Sequence, residues 1–599
     1  MCGIAGWFGG RGLASGELEA MGRSLSHRGP DDAGCWEDYS AGIGFGHRRL
    51  SIIDLSAAGH QPITNEDGSV VLTFNGEIYN FKPLRAELEA RGHRFRSSTD
   101  SEVLVHGWEE WGEGLLGRIR GMYAFGIWDR RTQRLVLARD PMGIKPLFYW
   151  WHPDGALVFA SEMKAFLAIR AFERRPDRRA LAQFLEFGFV PEEERATLEG
   201  VRRLPAGHAL SLERSDVGEG TRPPSRRFYV PPTTEPSDGR AQELAERADR
   251  LHRVLSGVVE EHLVADVPVG LLLSGGLDSG VVAALARKKG RLRTISMGFA
   301  DSAVDERAFA RRVADFLGTD HQEVLIRPEE VFEGLEDSSY YVDDLFGDWG
   351  VISTMVLYRK CREAGVKVVL VGEGSDELFG GYPDFDSAGG VEAEALGPRI
   401  RALRLYRWFS GRRWGWELAK LYGGLRSIDA ETGGDYFSTV RLFETRHQLP
   451  GNFNMKVDRA SMAASVEARV PFLDQRVAEE GFRTPRELLL RDGTNKFLLR
   501  FMAQRHGLLP PEIAWRPKFG GSIASTWMER SESFRSFAQS VILDRSGWTE
   551  ELGLRKPMED YFFCGRKGYP FPWALSILSI VAWRLLMLNL WARHYLTRK

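Results

Sequence analysis

A cysteine stands second in this chain, in Met1-Cys2-Gly3-Ile4-Ala5-Gly6. An initiator methionine before a small residue is normally clipped, so the mature chain is expected to begin at Cys2. An amino-terminal cysteine carries a nucleophile and a base in one residue. Its α-amine has a reference pKa of about 7.7–8, so part of it is neutral near pH 7 and can accept the thiol proton. A lone cysteine at a frayed end would mean nothing; other strings decide. Ser274-Gly275-Gly276-Leu277-Asp278-Ser279 follows the apolar run Leu271-Leu272-Leu273. Two glycines let the backbone turn and present its amides, two serines add hydroxyl donors, and a following helix N-terminus adds positive potential. That is a cradle for phosphate or pyrophosphate, and it lacks the GxxxxGK[ST] pattern of a Walker loop. A second glycine-rich loop, Gly372-Glu373-Gly374-Ser375-Asp376-Glu377, follows the run ending at Val371. Glu373 there is a candidate general base, and Asp376 a candidate cation ligand or a structural acid.

These groups need rigid elements around them. Short strands with Gly-rich turns are predicted over the first ~210 residues, most clearly Val70–Phe74, Tyr123–Trp128, Leu135–Ala138 and Leu157–Ala160. Helical spacing is predicted at Leu84–Arg91 and Glu102–Trp111. Residues 213–240 hold five prolines and little apolar periodicity, which reads as a linker or surface loop over 211–240. Strand–helix alternation follows: Val267–Leu273, Gly280–Lys288, Leu292–Met297, Asp305–Leu317 and Val366–Val371. It predicts a parallel sheet covered by helices, with a mostly helical last third.

Composition narrows the class. A chain of 599 residues with 43% hydrophobic residues supports more than one core. Lys plus Arg number 80 against 82 Asp plus Glu, a formal charge of −2, which argues against nucleic acid as partner. The four cysteines, at 2, 35, 361 and 564, show no zinc spacing and suit a reducing cytoplasm. No secretory leader is read at the start. The apolar stretch from Phe571 to Trp591 is interrupted by Arg584, so no uncharged run reaches the roughly 18 residues of a span. A buried C-terminal helix, without stable membrane insertion, is the expectation.

Two resemblances emerge. The 274–279 string resembles the pyrophosphate loop of the N-type ATP pyrophosphatases, which split ATP between the α and β phosphates. The strings His27-Arg28-Gly29-Pro30-Asp31, His47-Arg48-Arg49-Leu50-Ser51-Ile52-Ile53-Asp54, Asn75-Gly76-Glu77-Ile78-Tyr79-Asn80 and Thr99-Asp100-Ser101-Glu102, together with Cys2, resemble a class II glutamine amidotransferase domain. Joined in this order, they resemble the glutamine-hydrolysing asparagine synthetases of the bacterial B type.

The resemblance implies an α+β N-terminal-nucleophile hydrolase (an αββα sandwich) over 1–210. An α/β ATP-pyrophosphatase domain with a parallel sheet and a helical C-terminal part would occupy 241–599. It also implies roles. Cys2 attacks the glutamine amide, and the Asn75 side chain and Gly76 N–H hold the oxyanion. Arg49 takes the α-carboxylate and Glu77 and Asp100 the α-ammonium, with Leu50, Ser51, Ile52 and Ile53 around the ligand. ATP is implied at Leu273, Ser274, Gly275, Gly276, Leu277, Asp278, Ser279, Met297, Val371 and Gly372, and Mg²⁺ at Asp278 and Asp376. Glu373 and Lys496 are the implied catalytic groups of the second site, Lys496 acting on phosphate. The strings at 456–463 and 467–474 resemble the family's substrate-side helix and turn. A homodimer is implied as well.

The chain departs from the pattern at Val371, where a hydroxyl residue is usual, at Leu345, where proline is usual, and at Trp349. These departures bear on the acceptor. L-aspartate is the first candidate. Another carboxylate (a sugar uronate or specialised metabolite), an amide ligase or macrocyclase that does not use glutamine, and a non-catalytic homologue are the alternatives.

Overall fold

The computed structural model describes residues 1–10, 12–217, 222–237, 240–299, 305–382, 385, 431–432, 435–517, 531–564 and 572–596. Period-two alternation in the first third produces two six-stranded antiparallel sheets. One runs, in spatial order, Val201–Arg203, Phe148–Trp151, Leu157–Ala160, Gly3–Phe8, Ile43–Arg49 and Asp32–Asp38. The other runs Arg226–Arg227, His208–Glu213, Arg134–Arg139, Gly121–Asp129, Val70–Ile78 and Ile63–Thr64. Ile4, Phe8 and Phe45 of the first face Val71, Trp128 and Leu137 of the second in a shared core. The helix Glu17–Ser24 packs on the outer face of the first sheet. The helices Phe81–Ala90 and Glu102–Trp111 bury Leu84, Leu88, Val103 and Val105 with the second. The layering is αββα, as expected. The strand expected at Val70–Phe74 continues to Ile78, so Asn75, Gly76 and Glu77 lie within it, opposite Ala124, Tyr123 and Met122. Pairing with Gly121–Asp129 carries the strand through these residues.

In the second half, five strands pair in parallel in the order Asp320–Ile326, Arg293–Phe299, Val269–Leu272, Val368–Leu370, Glu467–Arg469. The helix expected at Gly280–Lys288 spans Leu277–Arg287. It begins inside the Ser-Gly-Gly string, so Asp278 and Ser279 belong to its first turn, where free N–H groups gather. The presumed linker is tied down rather than loose. Arg226 and Arg227 pair with Ala209 and His208, the Glu235 N–H donates to the Arg483 carbonyl at 2.9 Å, and Arg441 reaches the Thr234 hydroxyl at 2.7 Å. These contacts tie it to a sheet of the first half at Arg226–Arg227 and to the second half at Thr234 and Glu235.

The apolar C-terminal segment is the helix Pro572–Tyr595. No helix among the described residues is long and apolar enough to cross a membrane. Trp591, fully buried, donates through Nε1 to the Asp343 carbonyl at 2.7 Å, and Trp583 to the Gly347 carbonyl at 3.1 Å, so both pack within the fold.

The two halves meet across a buried ionic junction. Arg28 donates through Nη1 to Glu162 (2.6 Å) and Asp458 (2.8 Å), and through Nη2 to Asp458 (3.0 Å). Arg459, next along the helix Asn454–Ala463, pairs with Asp458 at 2.9 Å and Asp343 at 3.3 Å. Arg28, Arg459 and Glu162 have fully buried side chains. Such charges persist only because each is matched, and removing one partner strands the others. Arg28→Met is therefore expected to cost about 3–5 kcal/mol, measured as a lower urea midpoint, whereas Arg23→Met, at an exposed ion pair, leaves the midpoint near wild type.

Candidate active sites

The strand Gly3–Phe8 lies between its neighbours at the centre of the first sheet, which delivers Cys2 to a cleft between the sheets. The cleft is lined by Met1, Cys2, Arg49, Leu50, Ile52, Ile53, Gly59, Gln61, Phe74, Gly76, Glu77, Thr99, Asp100 and Ser101. The Cys2 N–H donates to Asn75 Oδ1 at 2.9 Å. That leaves Asn75 Nδ2 buried with no partner among the described residues, an available donor beside the nucleophile. Gly76 has no room for a side chain, since a Cβ would lie 2.1 Å from the Met122 carbonyl. Burial pushes the Cys2 thiol up, against the pull of the chain-terminal ammonium, the Leu50 N–H and Arg49. The thiol therefore needs a base to ionise it.

Arg49 lines the cleft, but its guanidinium also clasps the 53–56 loop. It donates to the carbonyls of Ser56 (3.0 Å), Ile53 (3.3 Å) and Asp54. A Cβ on Gly59 would fall 1.9 Å from Arg49 Nη2, so a side chain there would have to displace the guanidinium. Ser51 and Asn75 are the expected glutamine contacts that are not among the lining residues; the Ser51 N–H donates to Asp31 at 2.9 Å. Gln61, Phe74 and Ser101 line the cleft without having been singled out as contacts.

Glu77 and Asp100 meet a group from the other half of the chain. Arg469 approaches Glu77 at 3.3 Å and Glu467 at 2.6 Å, and the Met1 ammonium sits 2.8 Å from Glu467. The 467–474 string, expected on the acceptor side, thus contributes Glu467 and Arg469 to the glutaminase end. Alternation along a strand puts residues i and i+2 on one face, the only local signal for this pair. Burial, then Glu467 and Asp100, push the Glu77 carboxyl well above its usual range. Burial also raises Asp100 to about 6, aided by Glu467 and opposed by the Ile78 N–H. The result is a recess of three carboxylates, Glu77, Asp100 and Glu467, around Arg469.

In the second half, Gly275 takes φ +75°, and a Cβ there would lie 2.5 Å from the Ala310 nitrogen. The Ser274 and Ser279 hydroxyls are 2.9 Å apart. Gly372 brings the second loop against the first, leaving only 2.9 Å between a Cβ and the Ser279 nitrogen. Lys496 joins the two loops: its Nζ lies 2.8 Å from Asp278, 2.7 Å from Asp376 and 2.7 Å from the Ser375 hydroxyl. The lysine adopts φ +52°, a conformation disfavoured for side chains and often kept at functional sites. Asp278 Oδ1 is buried without a hydrogen-bond partner among the described residues. Two converging carboxylates with an unsatisfied oxygen fit a hard divalent cation.

Val371 brings no donor to this site. Its side chain is buried and its N–H goes to the Arg469 carbonyl at 2.9 Å. Leu273 likewise donates its N–H to Ile295 at 2.8 Å, while Met297 lies half-buried on the adjacent strand. Glu373 stands by Lys456. Burial works against the Lys456 ammonium, but Asp348, 3.4 Å away, and Glu373 hold it charged. Trp349 stacks on Trp583 (4.5 Å, 16°) and Leu345 is buried.

Comparison with known proteins agrees with this division. A profile described as a glutamine amidotransferase domain matches residues 1–222, and one described as asparagine synthase matches residues 250–593. Asparagine synthetase (glutamine-hydrolysing) 3 of Bacillus subtilis is 31% identical, over 91% of this chain and 92% of its own length. Its paralogue numbered 1 is 32% identical, over 87% and 86%. Asparagine synthetase (glutamine-hydrolysing) 2 of Arabidopsis thaliana is 31% identical, over 91% and 84%. With a thiol cleft in one half, a pyrophosphate-type loop in the other and similarity along nearly the whole length, the chain belongs to the glutamine-hydrolysing asparagine synthetase family, whose members are glutamine-dependent amidotransferases.

Proposed function

We propose that this enzyme makes L-asparagine from L-aspartate, ATP and glutamine, with AMP, diphosphate and glutamate as the other products. The carrying observation is that Lys496 bridges Asp278 and Asp376 at 2.8 and 2.7 Å in the same chain that buries Cys2 against Asn75. In the first half, with Met1 removed, the Cys2 amine takes the thiol proton and the sulfur attacks the glutamine amide. Asn75 Nδ2 and the Gly76 N–H stabilise the oxyanion, ammonia leaves, and water hydrolyses the thioester to glutamate. Each such donor is typically worth ~10²–10³ in rate. The acidic recess of Glu77 and Asp100 takes the α-ammonium, and Arg49 the α-carboxylate.

In the second half, the 274–279 loop holds the β and γ phosphates of ATP while the aspartate side-chain carboxylate attacks the α-phosphorus. Mg²⁺ held by Asp278 and Asp376 would neutralise charge on the phosphates. Lys496 stabilises the departing diphosphate. Glu373 accepts a proton as ammonia attacks the acyl-adenylate, releasing AMP. The packed positions of Leu345 and Trp349 support aspartate over a bulkier carboxylate, because contacts within the fold account for both departures.

Diphosphate release with ATP, Mg²⁺ and glutamine, with and without aspartate, tests the proposal. Aspartate-dependent diphosphate and a product of asparagine mass are expected; diphosphate that ignores aspartate would overturn it. Cys2→Ala is expected to abolish glutamine-dependent synthesis while ammonia-dependent synthesis continues. Asp278→Ala should lower AMP formation roughly 10²–10³-fold, the scale of one charge-stabilising contact, with glutaminase turnover retained. An ionised Asp100 is what attracts the ammonium, so affinity is full above pH 6 and falls as the carboxylate protonates below it. The glutamine KM should therefore rise about tenfold per pH unit below about 6, a limb that Asp100→Asn flattens.

A further inference from the structure

A second cluster of ligand-type side chains lies on the outer side of the glutaminase half. Glu66 sits in the hairpin turn between Ile63–Thr64 and Val70–Ile78, and His93 just beyond the helix Phe81–Ala90. His106 and Glu109 stand three residues apart on the helix Glu102–Trp111, hence on one face. One ligand atom from each of the four lies within 4.8 Å of the others. His106 Nδ1 is 3.3 Å from Glu66 Oε2, and His93 Nδ1 is 3.8 Å from Glu109 Oε2. Around a tetrahedral zinc with bonds of about 2.0–2.2 Å, ligand atoms stand roughly 3.3–3.6 Å apart.

The second observation is His106 itself. It is 1% exposed, yet its ring nitrogens make no well-aligned hydrogen bond among the described residues, with carboxylates only at 3.3 and 3.5 Å. A buried imidazole left this way is costly, and such groups call for an explanation. A metal on Nδ1 supplies one. The other nitrogen, Nε2, lies 3.5 Å from Glu102 Oε1, the outer carboxylate that commonly orients a ligating histidine. His93 repeats the pattern, with Nε2 3.5 Å from Glu110. The carboxylates are supported too: Asn65 Nδ2 donates to Glu109 at 3.0 Å, and the Arg94 N–H to Glu66 at 2.8 Å. The competing arrangement is a metal-free charge cluster, with Arg131 3.7 Å from Glu109 as an additional cation.

We propose that Glu66, His93, His106 and Glu109 form a structural site for a divalent transition metal of zinc type. Four protein ligands close the coordination shell, which marks a structural rather than a catalytic centre. The ion would pin the hairpin turn and the 91–101 connection to the helix Glu102–Trp111. Asp100 and Ser101, at the start of that helix, line the glutamine cleft, so the site would steady one wall of the cleft without touching substrate.

The test uses the full chain carrying Cys2→Ala and Cys35→Ala, which removes the cleft thiol and the exposed thiol that would compete for metal. After chelator treatment, Zn²⁺ alone is titrated against a chromophoric competitor, and Co²⁺ is followed by visible absorption. One equivalent of Zn²⁺ per chain is expected, with a rise in melting temperature. Co²⁺ should give a tetrahedral d–d spectrum lacking sulfur-to-metal charge transfer. His93→Ala and Glu109→Gln, each with an unchanged circular dichroism spectrum, should weaken Zn²⁺ at least 100-fold and lose the thermal shift. Failure to take up Zn²⁺, or equal uptake by both variants, overturns the proposal.

Discussion

The guanidinium of Arg28 is the contact on which the glutaminase end depends. Its Nε donates to the Cys2 carbonyl at 3.0 Å, while its two terminal nitrogens are committed to Glu162 and Asp458. A fully buried cation is tolerated only when every donor is matched. Because Asp458 belongs to a helix of the second half, the nucleophile is correctly held only when both halves are assembled. The same helix carries Lys456, beside Glu373 and Asp348. One rigid element therefore touches the anchor of the first site and the acceptor side of the second.

A parallel dependence runs through the edge strand Glu467–Arg469. It completes the parallel sheet beside Val368–Leu370, and its side chains reach back to Glu77 and the chain terminus. Arg469 also donates to the carbonyls of His262 and Val264, both at 2.7 Å. Three carboxylates, Glu77, Asp100 and Glu467, share this recess with one arginine and one ammonium. Burial raises the carboxyls of Glu77 and Asp100, while the Met1 ammonium and Arg469 hold Glu467 ionised. The recess exists only because the two halves are in contact.

Much of this was legible in the sequence where the signal is local. Alternation marked the central strands, and Gly275 and Gly372 marked the places where two loops must approach closely. Cys2, Asn75, Asp278 and Lys496 could be named because their strings are compact. What escaped was set by tertiary contact. The strand runs on through Asn75-Gly76-Glu77 because pairing with the distant strand Gly121–Asp129 holds its backbone there. Arg49 reads as a ligand fork, yet part of its hydrogen bonding goes to the 53–56 loop. Glu467 and Arg469 carry no local mark of joining a site more than 360 residues away in sequence. The departures at Leu345, Trp349 and Val371 look like changes in a ligand pocket until Trp583 and the Arg469 carbonyl are seen to meet two of them.

The proposed function requires that ammonia released in the Cys2 cleft reach the Asp278–Lys496 site within one chain. Glutamine labelled with ¹⁵N in the side-chain amide, offered with aspartate, ATP and Mg²⁺ in a large excess of unlabelled ammonium, tests this directly. At a pH where most free ammonia is protonated, the account predicts asparagine carrying predominantly ¹⁵N. Asparagine with the isotope ratio of the bulk ammonium would show that the two sites work independently and would contradict it.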